Sequence, residues 1–256
     1  MSRPVLPSAE GATPALAQWF AAKAAHPDAL VFFRMGDFFE LFFDDAVRAG
    51  DALGLAVSHR GEHQGRPVPM AGVPVHALEN YLARLIRAGF RVALCDQRET
   101  PEQAKARRAP TIRREVVRLV TPGTLTEDAL LDGARPAWLL ALAQGEGEWG
   151  AAWIDLSTGA FATETLPEAE IASLLARIDP AEILLPPALL AQPALAPWRD
   201  RLVERDAPRD PARRLAEFYG VAGLDGFGRF TAAELAACGL ALDYVRATQG
   251  EAAPRL

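Results

Sequence analysis

The stretch from Arg34 to Glu40 places an aromatic side chain and a carboxylate two residues apart, just after a glycine. If the backbone from Phe38 to Glu40 is extended, the two side chains point the same way, because strand side chains alternate between faces. Gly36 has no side chain and allows a partner to approach the backbone closely. A projecting ring beside a carboxylate can stack on a flat group and hydrogen-bond to its edge, so the pattern predicts a small recognition site.

The same residues also fit a purely structural interpretation. A helix that runs from Gly36 towards Leu53 is indicated by apolar residues at the spacing of one helix face. These residues are Phe39, Phe42, Phe43, Ala46 and Val47. On such a helix Phe38 lies about 100° from Phe39 and has no obvious core position, although a second buried face could take it. Asp37 and Glu40 have the spacing of a capping box. The residues alone leave both interpretations open.

The first half of the chain alternates helical and strand patterns, which is typical of an α/β domain. Thr13 and Pro14 are a good N-cap and first residue for a helix, and His26-Pro27 ends it. The further predictions are strands at 29–33, 55–57, 91–95 and 116–120, a polar turn at 58–61, a proline-containing loop at 62–74, a helix at 76–88 and a charged connection at 99–114.

The second half begins with a different pattern. Three strands separated by short turns predict an antiparallel meander, followed by a helix, a strand, an exposed proline-rich stretch and two helices. The predicted ranges are 138–143, 149–156, 160–165, 167–178, 181–185, 186–211, 211–219 and 231–248. Since Thr121-Pro122-Gly123-Thr124 is strong turn chemistry, we predict a first domain (13–120) and a second domain (134–250) joined by a linker (121–133). The two ends of the chain are predicted to be a flexible tail (1–12) and the start of a following domain (251–256).

The charge distribution is uneven along the chain, whose net charge is -6. Between Arg60 and Arg118 there are 12 basic and 6 acidic residues. A basic face of this kind can hold nucleic acid, although an ordinary solvated surface gives the same count. Cys95 and Cys238 have no metal-ligand spacing, and no signal peptide or membrane-spanning stretch is evident, so we expect a reduced, cytoplasmic chain.

Several blocks of the sequence resemble the MutS family of mismatch-repair proteins. Residues 33–42 are similar to its mismatch-recognition signature, Gly-x-Phe-x-Glu, and further blocks follow in family order. They are 69–76, 79–82 and 116–124, which resemble the rest of the same domain, and 155–159 and 226–228, which resemble the connector domain. The resemblance covers most of 13–250 and implies a mixed-sheet α/β recognition domain followed by a ribonuclease-H-like α/β connector domain.

The resemblance also implies roles for particular residues. Phe38 corresponds to the ring that wedges beside a mispaired base, Glu40 to the carboxylate that hydrogen-bonds to it, and Gly36 to the glycine of the signature. Arg60 and Arg114 lie in blocks similar to DNA-contacting loops. Met70 is expected near the wedge, whereas Glu115 stands where relatives often carry a basic residue. On charge alone, Arg107, Arg108 and Arg113 are further candidates for contacts with phosphates.

The family's ATPase has no counterpart in these residues, because the sequence contains no Gly-x-x-x-x-Gly-Lys-Ser/Thr. We therefore expect no catalytic residue and no cofactor in this chain. The resemblance implies ATP and magnesium for a missing ATPase domain, a homodimer, and recruitment of a downstream repair partner.

Two other functions remain open from the sequence. One is a metal-dependent nuclease of ribonuclease-H-like fold, with Asp155 on the middle strand and Glu168 and Glu182 as possible companions. The competing interpretation of Asp155 is a cap for the turn Ser157-Thr158-Gly159. The other function is a protein-interaction adaptor that uses the acidic second domain.

Overall fold

The computed structural model describes residues 7–126, 137–145 and 147–250. The chain divides into two compact units, Met1–Thr121 and Pro122–Leu256, and each is described by itself. The start of the predicted tail, the later part of the predicted linker and the predicted start of a following domain lie outside the described residues. None of the described helices is both long enough and apolar enough to cross a bilayer.

The first unit is built on a six-stranded sheet. Its strands are β1 (Ala29–Met35), β2 (Phe38–Phe42), β3 (Ser58–His63), β4 (Arg66–Pro74), β5 (Arg91–Gln97) and β6 (Arg114–Val120). Its helices are α1 (Pro14–Ala25), α2 (Phe43–Leu53), α3 (Leu78–Arg87) and α4 (Pro101–Ala106). The strand order is β3-β4-β2-β1-β5-β6. Because β1 runs parallel to β5 while the other neighbours are antiparallel, the sheet is mixed, as the fold prediction requires.

Strand β1 lies near the centre of this sheet and is buried from Ala29 to Phe33. Helix α1 packs on one face, where Trp19 joins a core cluster with Phe33 and Phe42. The prediction for the start of α1 is confirmed, since Thr13 accepts a hydrogen bond from the backbone of the first turn and proline follows it. Helix α3 and strands β5 and β6 are also confirmed at the predicted places.

The helix predicted from Gly36 to Leu53 is wrong in its first part. Residues 38–42 form β2, and α2 begins only at Phe43. Gly36, with φ 61°, is the first residue of a two-residue hairpin turn that pairs Met35 with Phe38, a position at which type II′ turns require glycine. Both faces of β2 bury an aromatic ring, which produced the helix-like spacing. The capping box at Asp37 therefore does not form.

The predicted strand at 55–57 is wrong, because these residues have no regular secondary structure. The predicted turn at 58–61 and loop at 62–74 are also wrong, because residues 58–74 form the hairpin of β3 and β4. Pro69 pairs with His59 and Pro67 with Glu62, on either side of a register shift. Prolines are tolerated in sheets beside such bulges, where the ladder of hydrogen bonds is already broken. Proline content therefore misled the sequence interpretation here.

The second unit contains a five-stranded mixed sheet. Its strands are β7 (Leu139–Gly145), β8 (Glu148–Asp155), β9 (Ala160–Leu166), β10 (Glu182–Leu185) and β11 (Leu202–Glu204). Its helices are α5 (Ile171–Ile178), α6 (Pro211–Tyr219) and α7 (Ala232–Gln249). The order is β11-β10-β7-β8-β9. The predicted meander is confirmed as β7-β8-β9, and β10 and β11 run parallel to β7, which fits the predicted ribonuclease-H-like arrangement.

Helix α7 lies very close to the meander. A side chain at Gly150 would collide with the backbone carbonyl of Ala233, so this crossing requires glycine. A capping box between Thr231 and Glu234 begins the helix. The proline-rich stretch, predicted to be exposed, is partly core instead: it buries Leu195 and contributes β11. Apart from such local corrections, the predicted mixed α/β class is confirmed.

Candidate nucleic-acid interface

Phe38 projects from the first residue of β2. It pairs with Met35 across the turn and with Pro74 on β4. Its side chain is 47% exposed, whereas its neighbour Phe39 is 3% exposed on the opposite face of the strand. The hypothesis that Phe38 has no core position therefore agrees with its placement, although the helix on which we based that hypothesis does not exist.

Glu40 lies on the same side of β2 as Phe38. The residue opposite it on β4 is Gly72, and a Cβ at Gly72 would lie 3.7 Å from Glu40 Cγ and 3.9 Å from Phe38 Cδ1. The ring and the carboxylate therefore converge over a position that carries no side chain. Strand alternation, and not helical geometry, brings these two groups together.

The carboxylate of Glu40 is 7% exposed and only half satisfied. Arg60 donates a hydrogen bond to Oε1. Oε2 is buried and has no hydrogen-bond partner in the described part of the chain. Burial raises the pKa of Glu40 above its usual range, and the positive charges of Arg60 and Arg114 only partly oppose this effect. Glu40 is therefore a carboxyl group that takes up a proton more readily than an exposed glutamate.

Arg60 reaches Glu40 from the bulge of β3, where the register shifts between His59 and Glu62. Its side chain remains 49% exposed beyond the ion pair. Arg60 also lines an open cleft with Leu16 of α1 and Phe42 of β2. The guanidinium is therefore shared between a buried carboxylate and the solvent.

Arg114 is placed differently from Arg60. It is 8% exposed, and its Nε donates to the carbonyl of Arg34 at 2.6 Å while Nη1 donates to the carbonyl of Ile112 at 2.9 Å. Its guanidinium lies 5.1 Å from the centre of the Phe33 ring. These contacts join β6 to β1, so the placement of Arg114 gives no support to a phosphate contact.

Met70 lies on β4 between Ser58 and Phe42, its partners in the two neighbouring strands. It is half-buried and packs against the core cluster of Trp19 and Phe33. This placement favours packing over a direct role in recognition. Met70 pairs with Phe42 at the far end of β2, whereas Pro74 and Gly72 are the residues of β4 that lie nearest to Phe38.

Two of the three remaining basic candidates, Arg107 and Arg113, contact a glutamate that the sequence interpretation missed. Arg107 donates to both carboxylate oxygens of Glu99, at 2.9 and 2.6 Å, and the backbone N–H of Arg113 donates to the same group at 2.6 Å. The hydrogen bond from Arg107 is the main reason that the pKa of Glu99 is lowered to about 2. Arg113 also pairs with Glu115 at 3.1 Å, whereas Arg108 is exposed. Sequence spacing gave no signal for this neutralised cluster.

The carboxylates of the nuclease alternative do not converge. Asp155 is buried, and its oxygens accept from the N–H and hydroxyl of Ser157 and from the hydroxyl of Thr158, at 2.7 to 2.9 Å. This confirms its interpretation as a turn cap. Glu182 is buried elsewhere and accepts from Tyr244 at 2.7 Å. Among the residues that the structure describes, no three His, Cys, Asp or Glu side chains are grouped to hold a metal ion.

Comparison with known proteins identifies both units. The family model for MutS domain I matches residues 13–129, and that for MutS domain II matches residues 137–256. Proteins named DNA mismatch repair protein MutS are 55% identical over 249 residues in Granulibacter bethesdensis and 46% identical over 258 residues in Rhizobium meliloti. Each match covers 96% of this chain but only 26% and 28% of the relative, so the chain spans about a quarter of their length. This chain belongs to the MutS family of DNA mismatch repair proteins and corresponds to its domains I and II.

Proposed function

We propose that this chain binds duplex DNA at mispaired or looped bases, and that this binding begins mismatch repair. In the proposed complex Phe38 wedges beside the mispair, and Glu40 hydrogen-bonds to a base. The observation that carries the proposal is the half-exposed ring of Phe38 beside a buried carboxylate oxygen of Glu40 that has no partner. Each feature alone also occurs elsewhere in the described chain, as at Phe227 and Trp149, so the proposal rests on the convergence of the two beside Gly72.

The energetics favour recognition of a weakened base pair. Inserting a side chain between stacked bases costs a few kcal/mol. At a mispair the bases are already poorly held, so the same deformation costs less. Stacking of an aromatic ring on the exposed base returns about 1–3 kcal/mol, whatever the base. Phe38 therefore discriminates by how easily the duplex deforms, without reading a sequence.

Glu40 adds discrimination at a cost in affinity. A carboxylate brought near phosphates is repelled, so it opposes binding to every duplex. It offsets this cost only where a base edge offers a hydrogen bond. The ionised group accepts from an imino N–H, whereas a purine N7 requires the protonated acid, which the raised pKa of Glu40 favours.

The remaining affinity must come from phosphate contacts, and the pairing of Arg107 and Arg113 with glutamates leaves fewer unpaired cations for such contacts than the charge count suggests. We therefore propose that the chain binds DNA weakly. We also propose that it binds without hydrolysing ATP, because its sequence contains no Gly-x-x-x-x-Gly-Lys-Ser/Thr. Homodimer formation and recruitment of a repair partner, which the resemblance implies, are proposed for the whole protein.

The variant Phe38→Ala tests the wedge. We expect the mismatch preference to fall by about 5- to 150-fold, because about 1–3 kcal/mol of stacking is lost. The melting temperature should change little, since the ring is half-exposed. Affinities for mispaired and fully paired duplexes are measured by fluorescence anisotropy, and stability by thermal unfolding.

Two matched variants serve as controls. Phe39→Ala removes the neighbouring core ring and should cost about 3–5 kcal/mol of stability. Phe227→Ala removes a ring of the second unit that is 55% exposed and should leave the preference unchanged. An unchanged preference in Phe38→Ala, or a stability loss as large as that of Phe39→Ala, contradicts the wedge.

A further inference from the structure

The ion pair between Arg60 and Glu40 occupies the position at which the proposed function needs a free carboxylate. Arg60 holds Oε1, and Oε2 is buried without a partner. Because Oε2 has almost no exposed surface in the free chain, a base edge reaches this carboxylate when the guanidinium of Arg60 leaves Oε1. Arg60, in turn, is half-exposed, lies at a bulge and lines an open cleft, so its side chain can turn towards solvent without disturbing the core.

A phosphate is a strong alternative partner for this guanidinium. Arginine binds phosphate and carboxylate with the same planar fork of N–H donors. Removing Arg60 from Glu40 leaves a buried, ionised carboxylate, which is costly unless another group replaces the lost donor. Arg114 also places positive charge near Glu40, but its Nε and Nη1 donate to the carbonyls of Arg34 and Ile112 and hold the guanidinium in place.

We infer that Arg60 is a specificity-determining residue that exchanges partners: it stays on Glu40 over paired DNA and moves to a backbone phosphate over a mispair. Over paired DNA no base reaches Glu40, and the ion pair persists. Over a mispair the base edge takes the place of Arg60 on the carboxylate. The freed guanidinium then adds a phosphate contact that only the mispaired complex contains. This inference rests on the proposed role of Glu40.

The salt dependence of binding measures this extra contact directly. Each phosphate neutralised by a basic side chain contributes about 0.9 to the slope of log affinity against log salt. We expect Arg60→Gln to lower the slope by about 0.9 on mispaired duplex and to leave the slope on paired duplex unchanged. Slopes are obtained by anisotropy titration of the 256-residue chain with the same duplex carrying or lacking one mispair.

Two further variants define the interpretation. In Glu40→Gln the ion pair is weakened, so Arg60 becomes available on both duplexes. Adding Arg60→Gln to this background should then lower both slopes alike. Arg66→Gln is the matched control, because Arg66 is an exposed arginine of the same hairpin. It should affect both duplexes equally, whether or not Glu40 is present. Thermal unfolding of each variant verifies that it is folded.

The outcomes separate the inference from the proposed function. An equal loss of slope on both duplexes in Arg60→Gln identifies a plain phosphate contact and overturns the exchange. No loss on either duplex identifies a fixed brace for Glu40 and also overturns it. If the unaltered chain shows no preference for the mispaired duplex, the proposed function itself fails, and the exchange fails with it.

Discussion

Two buried carboxylates, one in each unit, are satisfied to very different degrees. Both lie on strands, Asp155 at the end of β8 and Glu40 within β2. Asp155 accepts hydrogen bonds on both oxygens from the turn that follows it. Glu40 has one oxygen bound by a half-exposed arginine and one without a partner.

This difference indicates which carboxylate has a structural role and which is available to a ligand. A buried polar group without a partner costs about 1–3 kcal/mol, more if charged, so a group of this kind calls for a reason, such as a ligand or a water that completes it. Asp155 is already complete and stabilises its own turn. Glu40 is incomplete, and the exposed ring of Phe38 lies beside it.

The largest expected effect in this comparison is on stability. We expect Asp155→Ala to lower the free energy of unfolding by about 2–4 kcal/mol, because hydrogen bonds to a charged acceptor are worth about 1.5–3 kcal/mol each and are not fully additive. Mismatch preference should stay unchanged. Chemical denaturation gives the stability change, and duplex titration gives the preference. A stable variant with altered preference would make Asp155 a functional group and remove the contrast.

A smaller effect, on affinity, is expected for Glu40→Gln. Removing the negative charge should tighten binding to paired duplex several-fold, corresponding to about 1 kcal/mol for charges about 4 Å apart in water. The ratio of mispaired to paired affinity should shrink.

The unaltered chain should also show a pH dependence, since burial raises the pKa of Glu40. It should bind a mispair more tightly as the pH falls towards this raised pKa, and this gain should be lost as the pH rises above it. Titrations across pH measure both effects.

The variant itself provides the control for the pH effect. Glutamine does not titrate, so the mismatch preference of Glu40→Gln should be flat over the pH range in which the unaltered chain varies. A pH dependence that persists in the variant would assign the proton to another group. A fall in paired affinity together with a loss of stability would identify Glu40 as structural.

The sequence predicted much of the fold for physical reasons that differ by element. Residues 29–33 are an unbroken apolar run that is too short for a helix, which favours a buried strand. Thr13 and Pro14 specify a helix start through local chemistry alone. The segment 38–42 has no such local determinant. Its aromatic residues suit either a helix face or a strand buried on both sides, and only pairing with β1 and β4 decides between them.

In the candidate site, too, some features could be predicted from the sequence and others depend on tertiary contacts. The resemblance pointed to Phe38 and Glu40, and their convergence could be anticipated from an extended backbone. The partners of the basic residues could not be anticipated. Arg114 is buried by strands distant in sequence, and the pairing of Arg107 with Glu99 depends on the turn around α4. A count of charges includes such arginines as candidates for DNA contacts, although their guanidinium groups already have hydrogen-bond partners within the protein.

The smallest expected effect comes from a third carboxylate, that of Glu99. Its hydrogen bonding differs from that of both Asp155 and Glu40. Its carboxylate is satisfied, as that of Asp155 is, but one of its donors is the guanidinium of Arg107, which DNA could otherwise use; the other is the backbone N–H of Arg113. We expect Glu99→Gln to steepen the salt dependence of binding by up to about 0.9, because it releases one guanidinium, that of Arg107, to a phosphate. The slope should steepen equally on both duplexes, because this cluster touches neither Phe38 nor Glu40 in the described contacts.

The effect of Glu99→Gln should not depend on pH in the range in which Glu40 titrates. The pKa of Glu99 is lowered to about 2, so Glu99 stays ionised throughout that range. Slopes measured for both duplexes at two pH values check this, and a gain confined to the mispaired duplex would place the cluster within the recognition site itself.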